Sequence, residues 1–151
     1  MTTELYQPFQ PLAADGPALA RVLAAAGIEK TDVVRVMGPS GLLAALWLAE
    51  HGYQRAFFAR SLSSGQPADA VLIPHACSPE AVAEMIDAAE AVCDGGVVIV
   101  QARSGRSGEE LEAISAFLRR LGFDAQRRVN DKGRQICIAR RVDYPTARRA
   151  A

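Results

Sequence analysis

Apolar positions in this chain follow two alternating periods. Short β-branched runs at strand spacing are separated by longer stretches with apolar residues three and four apart. A short helix is predicted over about 18–26, closed by Gly27. VVRVM (33–37) reads as a strand and is broken by GPSG. LLAALWLAEHG (42–52) then reads as a strongly apolar helix ended by Gly52, and RAFFAR (55–60) as a second strand. After the loop SLSSGQP, the near-continuous apolar DAVLIP (69–74) suggests a strand buried on both faces. In SPEAVAEMIDAAEAVCDGG (78–96), Ser78 is the expected N-cap and Pro79 the first helical residue. Ala81, Val82, Met85, Ile86, Ala89 and Val92 form the apolar stripe of one long helix. VVIVQA (97–102) is a fourth buried strand. SGEELEAISAFLRRLGF carries acids in its first turn and arginines in its last, as a helix dipole favours. Two final strands, AQRRVND and RQICIARRV, flank a tight turn at Lys132-Gly133.

The order is therefore a helix followed by β-α-β-β-α-β-α-β-β. Such alternation predicts an α/β fold: a doubly wound, mostly parallel six-stranded sheet with a C-terminal antiparallel hairpin and helices on both faces. Pro8, Pro11 and Pro17 mark residues 1–15 as an extended N-terminal arm, leaving 16–151 as a single domain.

Composition changes this picture little. Half of the 151 residues are apolar and only 6% are aromatic, which favours closely packed helices over a sandwich of large side chains. The longest unbroken apolar run, Leu42 to Ala49, is far short of the roughly 20 residues a membrane helix needs. The start MTTELYQPFQPL has no basic, apolar leader pattern. Cys77, Cys93 and Cys137 are odd in number and widely spaced, without a zinc pattern. A cytoplasmic chain with reduced thiols, no resident metal and no membrane contact is expected. Charge is more informative. Residues 1–100 carry 5 Lys/Arg against 11 Asp/Glu, and residues 101–151 carry 12 against 6, so a neutral chain is split into halves of −6 and +6. That asymmetry suits a protein partner or self-association.

In open parallel sheets, ligands bind at the carboxyl ends of the strands. Gly38-Pro39-Ser40-Gly41 opens a helix there and could present backbone N–H groups to an anion. It matches neither GxGxxG nor GxxxxGK[ST], and a plain strand-to-helix turn explains it equally well. His75, just past the third strand, is a candidate base or ligand contact, and Cys77 a nucleophile only if the next helix lowers its pKa. His51 at a helix end carries no expected function. Arg60, with Ser61, Ser63 and Ser64, could hold the 2′-phosphate of NADP or another nucleotide. Arg103, Arg106, Arg127, Arg128, Lys132, Arg134, Arg140 and Arg141 could form a basic face for nucleic acid, but no aromatics are interleaved with them.

VVRVMGPSGLLAALWLAEHGY is similar to the first strand, loop and helix of class I S-adenosylmethionine-dependent methyltransferases. ADAVLIPHA with the following helix and GGVVIVQ resembles their fourth and fifth strands, and FLRRLGFDA with the hairpin resembles their C-terminal end. The resemblance spans about residues 30–142 and implies a Rossmann-like domain with S-adenosylmethionine as its cofactor. Under it, Gly38, Ser40, Gly41, Arg60 and His75 would lie at the cofactor site. The chain also departs from the family pattern. Arg35 stands where the family has an acid, Met37 and Pro39 where it has glycines, and Ala59-Arg60-Ser61 where an acid holds the ribose hydroxyls. The family's third strand and helix have no counterpart. A lost charge-assisted hydrogen bond of roughly 1.5–3 kcal/mol weakens binding about ten- to a hundredfold. Bulk from Met37 and Pro39 is expected to weaken it further. These readings imply a non-catalytic methyltransferase-like module that acts by binding. The alternatives are a methyltransferase with an atypical loop and an NADP or other nucleotide-binding regulator.

Overall fold

The computed structural model describes residues 11–60, 67–86, 89–103 and 108–142. Helices α1 (Gly16–Ala25), α2 (Gly41–Glu50), α3 (Pro79–Met85) and α4 (Glu109–Leu121) accompany strands β1 (Val34–Val36), β2 (Ala56–Phe58), β3 (Ala68–Cys77), β4 (Val92–Ala102), β5 (Phe123–Asp131) and β6 (Arg134–Arg141). The element order is the one expected. The six strands form one mixed sheet in the order β2-β1-β3-β4-β6-β5. β2, β1, β3 and β4 pair in parallel, while the β5–β6 hairpin closes the sheet antiparallel to β4. The hairpin turn holds Lys132 and Gly133 at φ 53° and 86°, the left-handed pair that lets a two-residue turn follow the twist of its strands.

Strand alternation divides the core in two. Val34, Val36, Ala70, Leu72, Val97, Ile99, Ile136 and Ile138 pack beneath α1 and α2. Val71, Ile73, Val98, Val100, Cys137 and Ala139 point the other way, beneath α3 and α4. The helices thus cover both faces of the sheet.

Three expectations change. Of the supposed arm, residues 11–15 are not extended: Leu12–Ala14 make a 3-10 turn with Leu12 and Ala13 buried. The Leu12 N–H donates to buried Gln101 Oε1 at 2.8 Å. The long helix over 78–96 stops at Met85, where Ile86 turns extended (φ −126°, ψ 114°). Among the described residues, only a 3-10 turn at Ala89–Ala91 follows before β4 begins. Sheet pairing overrides helix propensity there: Val92 is opposite Ala68 and Val97 opposite Ala70, so β4 bulges through Cys93–Gly96. Finally, the strand expected over 69–74 runs on to Cys77, so His75 and Cys77 belong to β3 itself.

One polar cluster ties the hairpin to the start of α1. Arg134, almost wholly buried, donates to Asp15 Oδ2 at 2.9 Å and Asp131 Oδ2 at 3.0 Å. Asp15 also accepts the Ala18 N–H and so caps α1. At the other end of α1, Arg127 and Arg140 donate to the carbonyls of Ala25 and Ala26.

Candidate functional site

The carboxyl ends of β1, β2 and β3 meet at one edge of the sheet, and all five predicted site residues stand there. β1 leads into the turn Met37–Ser40, where Gly38 takes φ +98°, a backbone that side chains rarely adopt. The Gly41 N–H donates to the Gly38 carbonyl at 2.9 Å, so one backbone donor of the turn is already engaged. Ser40 precedes α2 without a side-chain cap bond. Arg60, exposed, follows β2, where the Ala59 N–H donates to the Val36 carbonyl. Its expected companions Ser61, Ser63 and Ser64 lie outside the described residues.

His75 comes from β3 and packs directly on the turn. A Cβ built on Gly38 would overlap the imidazole, with Nδ1 at 2.6 Å. The glycine is thus the contact surface for a side chain of the same protein. His75 Nε2 is 3.3 Å from Cys77 Sγ, and Nδ1 is buried without a hydrogen-bond partner. Burial pushes the imidazole below its usual pKa, so it is neutral at pH 7. Burial also pushes the Cys77 thiol up to about 11, with the Arg103 charge only partly offsetting it. The nucleophile reading of Cys77 therefore fails, because desolvating a thiolate costs more here than the nearby charge returns.

Met37 also differs from expectation. Instead of adding bulk over the turn, it is fully buried with Val71 and Ile73 in the core beneath α3 and α4. Alternation along VVRVM places Met37 on the side of Val33 and Arg35, a signal the sequence already carried. Pro39 is exposed. Asp69, near the start of β3, accepts the Val33 N–H at 2.7 Å at the opposite end of the sheet.

A cavity of about 490 Å³ opens elsewhere, between the start of α4 and the hairpin. Its lining includes Gly108, Leu111, Arg128, Asn130 and Gln135, but none of the five predicted residues. Of the expected basic face, Arg106 lies outside the described residues, and most of the other cations are engaged within the protein. Arg103 pairs with Glu110, Arg128 with Glu112 and Arg141 with Asp94, while Arg127 and Arg140 bind carbonyls. Among the described residues, no cluster of His, Cys, Asp and Glu is placed to hold a metal ion. No described helix is long and apolar enough to cross a membrane.

No protein-family model and no curated protein matches the chain. Solved structures do match. A protein from Corynebacterium glutamicum aligns over 95% of this chain and 87% of its own length, with a TM-score of 0.56 at 15% identity. A precorrin-6y C5,15-methyltransferase from Geobacter metallireducens covers 93% of this chain and 97% of itself, with a TM-score of 0.52 at 14% identity. A release-factor-specific protein-(glutamine-N5) methyltransferase from Alicyclobacillus acidocaldarius covers 91% and 100%, with a TM-score of 0.50 at 16% identity. Identities this low establish architecture alone: the chain has a methyltransferase-like fold.

Proposed function

We propose that this chain is a methyltransferase-like domain that does not transfer methyl groups and acts by binding a protein. The observation that carries this reading is His75 seated against Gly38. In the resemblance, bare backbone after β1 is where the cofactor approaches, and here an imidazole occupies that approach. β2 ends at Phe58 and is followed by Ala59-Arg60, which offers a cation where the ribose hydroxyls would want a carboxylate. The residues present therefore do not fit the adenosyl group, and no chemical step through it follows.

Calorimetric titration with S-adenosylmethionine and S-adenosylhomocysteine is the test. No saturable heat below about 1 mM is expected, since the missing ribose contact alone is worth roughly ten- to a hundredfold. Micromolar binding of either compound would overturn the proposal.

One observation favours a methyltransferase with an atypical loop. His75 is a neutral imidazole at the crevice with an unpartnered ring nitrogen, a group able to accept a proton. The same titration decides between the two readings. Among the described residues the NADP reading rests on Arg60, and titration with NADP tests it.

A further inference from the structure

We infer that the partner is a second copy of this chain, docked across α2 and the β2 edge. This names the partner within the binding reading and rests on surface chemistry, so it stands or falls separately from the state of the crevice.

α2 is apolar on every side. Gly41, Ala44, Ala45 and Leu48 face the core, while Leu42, Leu43 and Leu46 on the other side are each more than half exposed. A helix that is hydrophobic all round belongs in an interior. At 100° per residue, the flank of α2 bearing Trp47 turns toward α1, where the ring fits against Gly16. Leu42 and Leu46 take the opposite flank, above β2. Below them Phe58 packs against Gly41 and remains partly exposed, while its neighbour Phe57 faces the other side of the sheet.

β2 is also the sheet edge, and among the described residues nothing pairs with its outer side. Edge strands are normally protected by charge, as β5 is by Asp124, Arg127, Arg128 and Asp131. β2, three residues long, instead presents Phe58 on the α2 face and Phe57 on the other. On the α2 face the exposed parts of Leu42, Leu43, Leu46 and Phe58 amount to roughly 350 Å² of apolar surface, somewhat under half of the roughly 800 Å² each partner gives to a stable interface. That is the proportion expected of an apolar centre within a polar rim.

Charge at the ends of the patch selects a second copy. Arg60 stands at the carboxyl end of β2, beside the start of α2, and Glu50 lies at the far end of α2. A two-fold axis through the patch exchanges these ends, so Glu50 of each copy meets Arg60 of the other. By strand alternation, Arg55 lies with Phe57 on the opposite face of the sheet, away from α2.

Sedimentation equilibrium of the full chain is the test. A dimer of twice the 16.1 kDa chain mass is expected at micromolar concentration. Leu46→Glu should raise the dissociation constant at least about a hundredfold, because it buries an unpaired charge at the interface centre. Its circular dichroism should stay unchanged, since Leu46 lies off the core. Glu50→Arg and Arg60→Glu should each weaken pairing about two- to fivefold, and the double reversal should restore it. A monomeric wild type, a dimer indifferent to Leu46→Glu, or a double reversal that fails to recover would each overturn the inference.

Discussion

Gly38→Ala probes the contact on which the functional reading depends. The substitution acts in two ways that can be separated. First, the backbone at φ +98° disfavours any side chain, costing about 1–2 kcal/mol. Second, the new methyl overlaps the His75 ring, and relieving such overpacking costs about 1–3 kcal/mol. The total is about 2–5 kcal/mol, and for a chain of this size each kcal/mol lowers Tm by roughly 2–4 °C. Urea denaturation of wild type, Gly38→Ala, His75→Ala and the double variant closes a thermodynamic cycle. In the His75→Ala background the steric part vanishes, so Gly38→Ala should cost only about 1–2 kcal/mol there. The coupling is then about 1–3 kcal/mol. A Gly38→Ala penalty that stays the same in both backgrounds, within about 0.5 kcal/mol, would show that the imidazole does not sit on the turn. The steric reason for doubting a cofactor there would go with it, leaving only the charge at Arg60.

Two further predictions concern the thiols and the polar cluster. At pH 8 in the native state, a thiol reagent should label half-buried Cys93 quickly and leave Cys77 and Cys137 slow, since burial raises the pKa of both; two fast thiols would contradict this. Burial raises the Asp15 pKa, but the Ala18 N–H and the Arg134 and Lys132 charges outweigh it and hold the carboxyl below its ordinary 3.8. A carboxyl depressed by folding stabilises above about pH 4, and that stabilisation fades as pH falls through the folded value. Asp15→Asn should therefore cost about 1–3 kcal/mol at pH 7 and flatten the acid limb of the stability curve. Equal acid losses in wild type and variant would refute that assignment.

Element type and order were legible in the linear chain because they rest on local rules. Glycines at helix ends, the switch from period two to period 3.6, and Lys132-Gly133 at the hairpin act through neighbours only. The uniform apolarity of α2 was equally visible, although its meaning needed the exposed flank beside β2. The helix over 78–96 failed because its alanines and apolar stripe satisfied every local criterion. What shortened it was the pairing of Val92 with Ala68, whose energy no window along the chain contains.

The sequence by itself determined the α/β alternation and the sheet's closing hairpin, and it shows Arg35, Met37, Pro39 and Arg60 at positions where the resemblance would lead one to expect acids and glycines. Only the tertiary structure decided what fills the space above Gly38, because His75 lies 37 positions along the chain and arrives through strand pairing. It also decided that most of the described arginines of the C-terminal third are engaged within the protein. Those outcomes depend on which groups share a location after folding, and long-range packing sets that.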